Sequence, residues 1–192
     1  MEVRVSVGAC LLVGWFAAVN GWALTALVLS AAALHELGHL TALKLLGGRV
    51  TALRLSVFGA EMRVDGAGLS YGKELAAVLA GPLTNLLAGL VLAWCGCPAA
   101  AGAHLVLCAF NLLPVRPLDG GRALHLLTAW AAGPAAGETL CRWVGGCAAL
   151  SLGTALVWVV VRSGGSLWLL PAAAGLGMAA FRELLCEKRH FL

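Results

Sequence analysis

WALTALVLSAAALHELGHLTALKLL, residues 22–46, is an apolar stretch that contains His35-Glu36-Leu37-Gly38-His39. A bilayer core about 30 Å thick needs roughly 20 helical residues, so the stretch is long enough for one spanning helix. Three ionisable side chains within five residues of a spanning helix cost free energy in the bilayer, so their presence indicates a function. Residues four apart share a helix face, so His35 and His39 can bind one metal ion while Glu36 beside them accepts a proton from water. The stretch therefore predicts a hydrolytic metal site in or at a bilayer.

The composition supports a membrane protein. Of the 192 residues, 61% are hydrophobic and 11% are charged, and the mean hydropathy is +0.92. Soluble domains contain about 45–50% apolar and about 25% charged residues. We expect a single intramembrane domain over residues 1–192, because the spanning segments leave too little chain for a second, soluble domain. The net charge of +4 is explained by loops beside anionic lipid, so no nucleic-acid partner is expected.

Six apolar runs predict an all-α polytopic membrane protein with about six transmembrane helices. They are residues 5–19, 22–46, 75–94, 99–113, 140–161 and 166–185. Asn20-Gly21 between the first two runs is a turn dipeptide, which lets these two helices fold back on each other. The first run is short for a span, and it must borrow flanking residues or lie where the bilayer is thin. The seven cysteines lack the paired spacings of a zinc ribbon and are predicted to be small buried residues.

Two segments interrupt the apolar runs. Within residues 47–72, Leu53-Arg54-Leu55-Ser56-Val57 and Ala60-Glu61-Met62-Arg63-Val64 alternate with period two, which predicts a small β-hairpin. Residues 114–128 begin with two prolines, contain Asp119-Gly120-Gly121 and lead into a short helix that ends before Gly133-Pro134. We interpret this second segment as a re-entrant loop that lines a cavity near the active site, because broken backbone at membrane depth must be covered by protein or water.

The positions of Lys and Arg predict the orientation of the chain. With six spans and a cytoplasmic amino terminus, Arg162 lies outside and the other basic residues lie inside or at the inner boundary. Those residues are Arg4, Lys44, Arg49, Arg54, Arg63, Lys73, Arg116, Arg122, Arg142, Arg182, Lys188 and Arg189. The prediction is an integral, multi-pass protein with both termini in the cytoplasm. It also brings the end of the His35–His39 helix and the Asp119 loop to the same side of the membrane.

A catalytic zinc has three protein ligands and an open position for water, so a third ligand is needed beside the two histidines. Asp119 is favoured because it lies in the glycine-rich, proline-flanked loop. Glu61 and Asp65 remain alternatives, since soluble HExxH proteases take a glutamate about 20 residues downstream on a following helix. Glu61 has roughly that separation but lies in a strand-like stretch. His104 and His125 are interpreted instead as a packed histidine far from the metal and a solvated loop histidine, respectively.

Three motifs in order resemble the site-2 protease family of intramembrane zinc metalloproteases. They are His35-Glu36-Leu37-Gly38-His39, then Ala80-Gly81-Pro82-Leu83-Thr84-Asn85, then Asn111-Leu112-Leu113-Pro114 leading to Pro117-Leu118-Asp119-Gly120-Gly121-Arg122. The chain is most similar to the six-span branch that contains the stage IV sporulation protein FB. The resemblance covers roughly residues 20–130, and the later spans match only in hydrophobic pattern. Neither the CBS domain of that sporulation enzyme nor the PDZ domain of the envelope-stress branch is expected here.

The resemblance implies one Zn²⁺ per chain, with His35, His39 and Asp119 as ligands and Glu36 as the catalytic carboxylate. It assigns Asn111 to substrate binding or oxyanion stabilisation, and Asn85, in the Gly-Pro-x-x-Asn motif, to the same substrate side of the site. It further implies a bacterial cell membrane and a membrane-anchored protein substrate such as the pro-form of a transcription factor. A membrane inhibitor or regulator and a role in sporulation are implied in the same way.

Two other classes of protein fit parts of the pattern. An inactive membrane protein that binds transmembrane helices without cutting them is the main alternative, although it has no evident use for Glu36. A metal transporter would string ionisable groups across the membrane depth, whereas here they cluster at one level.

Overall fold

The computed structural model describes residues 2–56, 59–65 and 68–162. These residues fall into two compact units, Met1–Asn111 and Leu112–Leu192. The first unit contains β1 (Glu2–Val5), α1 (Val7–Asn20), α2 (Trp22–Leu45), β2 (Arg49–Ser56), β3 (Gly59–Asp65), α3 (Tyr71–Trp94) and α4 (Pro98–Asn111). The described part of the second unit contains α5 (Asp119–Ala132) and α6 (Pro134–Arg162).

Three of the described helices are long and apolar enough to cross a membrane, namely α2, α3 and α6. The 24 residues of α2 reach about 36 Å at 1.5 Å per residue, more than a bilayer core of about 30 Å requires. Helices α1 and α4 are apolar but have 14 residues each, in keeping with the short first run. The five helices α1, α2, α3, α4 and α6 correspond to the first five predicted spans, so the predicted all-helical membrane fold is confirmed. The sixth predicted span, residues 166–185, lies outside the described residues.

Glycine and proline set several helix boundaries. Gly21, between α1 and α2, has a φ of 82°, and Gly133, between α5 and α6, has a φ of 91°. Side chains with a Cβ rarely adopt this conformation, so both turns need glycine. Pro98 and Pro134 are the first residues of α4 and α6, where a missing N–H costs nothing. The predicted turn at residue 21 and the predicted end of α5 are confirmed, whereas α6 begins six residues before the predicted residue 140.

A three-stranded sheet of order β1-β2-β3 precedes α3. The predicted hairpin is confirmed, since β2 and β3 pair antiparallel from Arg49 opposite Asp65 to Ser56 opposite Gly59. The sequence did not predict β1, which pairs parallel with β2 from Glu2 opposite Ala52 onward. The first span was expected to begin at residue 5, but Val5 is the last residue of β1 and the helix begins at Val7. Two helices separate β1 from β2 in the chain, and local periodicity carries no signal for such a distant pairing.

Small residues allow α2, α3 and α4 to pack closely. A Cβ at Gly38 of α2 would lie 2.5 Å from Thr84 Oγ1 and 2.8 Å from the backbone oxygen of Ala80, both on α3. A Cβ at Gly89 of α3 would lie 2.8 Å from the Leu105 side chain on α4. In a bilayer, helices associate through such close contacts because lipid is as apolar as the side chains. The glycines thus set the distances between the helices of the first unit.

We expect Gly38→Ala to destabilise the protein, because the Ala80 carbonyl belongs to a helix backbone and cannot move aside. The free energy of unfolding should fall by about 1–3 kcal/mol, as in other overpacked cores. Gly14→Ala in α1 is the matched control, since no atom lies within 4 Å of its Cβ position. This control should raise stability by up to about 1 kcal/mol through helix propensity. Thermal unfolding in detergent compares the two variants, and a Gly38→Ala protein at least as stable as Gly14→Ala would contradict the close packing.

In the second unit, the loop of residues 112–118 folds back on the first turn of α5. Val115 is 1% exposed and packs with a small apolar group, Leu113, Leu118, Ala148 and Ala149. A Cβ at Gly120 would overlap the Leu112 backbone carbonyl, and one at Gly121 would lie 2.7 Å from the Val115 backbone. The paired glycines therefore leave the space that the loop occupies. The predicted break followed by a short helix is confirmed here.

An ion pair joins this loop to α6. The Arg116 guanidinium donates two hydrogen bonds to the Glu138 carboxylate, at 3.1 and 3.0 Å. Both side chains are partly exposed, so the pair contributes at most about 1 kcal/mol. Its fork geometry fixes the direction of the loop before α5 more than it stabilises the fold.

The described cysteines are all free thiols. Cys108 and Cys141 are buried as predicted, but the prediction was wrong for the other four described cysteines, which are exposed: Cys10, Cys95, Cys97 and Cys147. In a membrane protein the lipid-facing surface is also apolar, so an apolar environment does not require burial in protein.

Candidate metal centre

His35 and His39 form a buried pair on α2. Their exposed fractions are 4% and 8%, their rings meet edge to face, and their Nε2 atoms are 3.1 Å apart. Two nitrogen ligands at about 2.0–2.1 Å from a tetrahedral zinc are about 3.3 Å apart. The two nitrogens therefore already have the separation that a shared metal ion requires.

A backbone carbonyl fixes the hydrogen of His39. Its Nδ1 lies 2.8 Å from the Ala77 oxygen on α3, and a carbonyl only accepts, so Nδ1–H is the donor. A neutral imidazole then has its lone pair on Nε2, the atom that faces His35. Ligand histidines in metal sites commonly donate their second nitrogen to a carbonyl in this way. This contact supports His39 as a ligand and was not predictable from the HExxH spacing.

Gly81 provides the space for the His39 ring. A Cβ on Gly81 would overlap the imidazole and lie 2.6 Å from its Cε1 atom. Because Gly81 is buried on α3, the ring rather than the helix would have to move. The glycine of the Ala80-Gly81-Pro82 motif therefore acts directly on a predicted ligand.

Gly81→Ala should weaken zinc binding by about tenfold or more, the range found when the group that orients a ligand is lost. Gly102→Ala on α4 is the control, because no atom lies within 4 Å of its Cβ position. Competition with a chromogenic chelator measures both affinities on the purified protein. Equal affinities in the two variants would mean that the His39 ring does not depend on Gly81.

Asn85 and His104 extend the histidine pair into the first unit. The Asn85 amide is fully buried, with Nδ2 3.3 Å from His35 Nδ1 and Oδ1 3.0 Å from His104 Nδ1. His104 is packed, as predicted, but the prediction that it lies far from the metal ligands was wrong, because one amide separates it from His35. The packing of α4 on α3 sets how close His104 lies to His35, and helix periodicity alone does not specify this distance.

Glu36 and Asn111 are less deeply buried than the two histidines. Glu36 is half-buried next to His35. Asn111 is the last residue of α4, and its Nδ2 donates to the Leu107 oxygen at 3.0 Å, which uses one of the two amide hydrogens. The alternative ligands Glu61 and Asp65 lie in β3, opposite Arg54 and Arg49 in the strand register.

Asp119 belongs to the second unit. It is the first residue of α5 and is 7% exposed. A carboxylate in the first helical turn is stabilised by the unsatisfied N–H groups and the positive end of the helix dipole. The helix thus supports a buried negative charge at this position. His125 lies on the same helix and is half-buried, so its prediction as a solvated loop residue was wrong.

His35, His39 and Asp119 are all buried, and each offers one ligand atom of a kind that zinc accepts. Buried ionisable groups in a membrane protein are rare and mark functional sites. The residue types and burial of His35 and His39 fit a metal site, with Nε2 of His39 as its best-defined donor.

The helices and the sheet define a polytopic α-helical membrane protein with the site-2 protease fold. The structure is similar to that of "Site-2 Protease from Methanocaldococcus jannaschii", with a TM-score of 0.69 and 22% sequence identity over 99% of this chain and 94% of that chain. No family model matches the sequence, and no curated protein matches it significantly. The fold expected from the three motifs is confirmed.

Proposed function

We propose that this protein is an intramembrane zinc metalloprotease of the site-2 protease family. It would hydrolyse peptide bonds within or next to a transmembrane segment of membrane-bound proteins. The observation that carries the proposal is the buried His35–His39 pair, whose Nε2 atoms are 3.1 Å apart on an apolar spanning helix. The glutamate between the two histidines and the fold support the same conclusion.

The proposed zinc ligands are His35, His39 and Asp119, with one zinc per chain. Two neutral imidazoles and one carboxylate leave one position open, as in catalytic zinc sites. When bound, zinc polarises the scissile carbonyl and makes water acidic enough to attack near neutral pH. The carboxylate of Asp119 would partly balance the metal's charge, which lowers the cost of that charge in a low-dielectric site.

Glu36 is the proposed general base and acid. Its carboxylate oxygen would accept a proton from the attacking water and deliver it to the nitrogen of the leaving amine, which completes hydrolysis of the peptide bond. Asn111 is proposed to hold substrate or the developing oxyanion through its second amide hydrogen. A spanning substrate must unwind locally before it reaches these groups, because a helix engages its carbonyls in hydrogen bonds.

The proposed setting is a bacterial cell membrane with both termini in the cytoplasm. The proposed substrate is a membrane-anchored protein such as the pro-form of a transcription factor, and a second membrane protein is proposed as inhibitor or regulator. The basic residues near the predicted cytoplasmic ends support this orientation. A role in sporulation is proposed on the resemblance of the motifs alone.

Reconstitution in lipid vesicles tests the activity. The purified protein is mixed with a panel of single-span peptides that carry helix-breaking residues near one membrane face, and mass spectrometry identifies the products. We expect cleavage within or next to the span, loss of cleavage with a zinc chelator and recovery with added Zn²⁺. Peptides that bind but remain intact would favour the inactive helix-binding protein, and zinc uptake into the vesicles would favour a transporter.

A further inference from the structure

A chain of four polar contacts crosses the first unit from α4 to α3. It joins His104 to Asn85, Asn85 to His35, His35 to His39 and His39 to the Ala77 oxygen, with distances from 2.8 to 3.3 Å. His104 and the metal-ligand candidates are at most 8% exposed, and Asn85 is completely buried. A neutral imidazole carries one hydrogen, and the orientation of the Asn85 amide between His104 and His35 decides which ring nitrogen can carry it.

With Asn85 Oδ1 toward His104 and Nδ2 toward His35, one arrangement of hydrogens satisfies all four contacts. His104 Nδ1–H donates to Asn85 Oδ1, Asn85 Nδ2 donates to His35 Nδ1, and His35 Nε2–H donates to His39 Nε2. His39 Nδ1–H donates a hydrogen bond to the Ala77 oxygen. In this arrangement the Nε2 atom of His35 carries a hydrogen and has no lone pair for a metal.

Metal binding through both Nε2 atoms requires the other tautomer of His35, with its hydrogen on Nδ1. That hydrogen needs an acceptor at the position of Asn85 Nδ2. The amide satisfies the requirement by a half-turn that exchanges Oδ1 and Nδ2 in nearly the same space. Its Nδ2 then faces His104 Nδ1, which must become an acceptor and therefore carry its hydrogen on Nε2.

We propose that Asn85 and His104 are positioning residues that select the metal-binding tautomer of His35. In the metal-bound protein Asn85 Oδ1 accepts from His35 Nδ1–H, and Asn85 Nδ2 donates to His104 Nδ1. Each ring keeps one hydrogen, so the rearrangement releases no proton from this chain. The inference rests on the zinc site of the proposed function and gives Asn85 a role beyond substrate binding.

The tautomer of His104 provides a test in the wild-type protein. Protein with ¹⁵N-labelled histidine rings is compared by NMR after removal of metal and after loading with one equivalent of Zn²⁺, and His104→Asn identifies its signals. We expect His104 Nδ1 to change from protonated to unprotonated on zinc binding, with Nε2 changing in the opposite sense. An unchanged His104 tautomer in protein that has bound zinc would overturn the proposal.

Substitutions test the same proposal through zinc affinity, measured by chelator competition. Asn85→Leu and His104→Leu should weaken zinc binding by about 10–100-fold, the usual cost of losing a group that supports a metal ligand. His104→Asn should recover most of the affinity, because its amide can take the place of Nδ1 as donor or acceptor. Cys108→Ala, a buried change one turn along α4, is the control and should bind zinc like the wild type.

The outcomes separate the two proposals. If wild type binds no zinc, the proposed function and this inference both fail. If wild type binds one zinc and the two leucine variants bind it equally well, only the positioning role fails. Loss of affinity in both leucine variants, recovery in His104→Asn and an unaffected Cys108→Ala would support it.

Discussion

Glu36→Gln should abolish peptide cleavage while leaving zinc bound. Glutamine has nearly the same shape as glutamate but cannot accept the proton of the attacking water, so the cleavage rate should fall by about 10²–10⁴-fold. Zinc affinity should stay near the wild-type value, because Glu36 is proposed as the base and not as a ligand. Vesicle-based cleavage and zinc content are measured on the same preparation.

Glu74→Gln is the matched control for this prediction. Glu74 lies in the first turn of α3, so it is also a glutamate in an apolar helix, but it does not belong to the HExxH motif. The Glu74→Gln protein should cleave the peptides at the wild-type rate. Substantial cleavage by Glu36→Gln would remove the proposed base, and loss of zinc from that variant would mean that Glu36 also helps to hold the metal.

Asp119→Asn should remove most of the bound zinc. A neutral amide keeps the shape of the side chain at the start of α5, but it is a poor zinc ligand and does not balance the metal charge. Removal of a hydrogen bond that supports a ligand typically costs about 10–100-fold in zinc affinity, which is the effect expected of Asn85→Leu. The loss of zinc affinity in Asp119→Asn should be larger than this. Metal analysis of the purified protein and chelator competition measure the change, and thermal unfolding checks that the variant is folded.

Glu61→Ala and Asp65→Ala complete this experiment because they are the alternative third ligands. Both should retain about one zinc per chain. His35→Ala provides the reference for loss of a proposed histidine ligand. If Asp119→Asn retained zinc and Glu61→Ala lost it, the third ligand would have to come from β3 and the mechanism would need a different geometry.

Several features of the fold followed from local sequence. The glycine turn at residue 21, the hairpin of β2 and β3 and the helix that ends before Gly133 were all predicted, because each depends on neighbouring residues. The same holds for the His35–His39 pair. Residues four apart on a helix share a face whatever surrounds the helix.

Other features were missed because they depend on contacts between distant residues. The strand β1 pairs with β2, about 50 residues further along the chain, and no periodicity in residues 2–5 indicates that partner. The apolar character of Cys10, Cys95, Cys97 and Cys147 could not distinguish burial in protein from exposure to lipid. In a membrane protein, an apolar side chain is stable both in the protein interior and at the lipid-facing surface.

The sequence by itself determined the apolar helix, the two histidines on one of its faces and the glutamate between them, since helix geometry sets these relations within about one turn. Only the tertiary structure decided which groups contact the two imidazole rings. His39 donates to Ala77, 38 positions away, and His35 contacts Asn85, 50 positions away. The close approach of α2 to α3 at Gly38, and of α3 to α4 at Gly89, sets these distances. A crossing is a property of two packed surfaces that neither helix encodes alone.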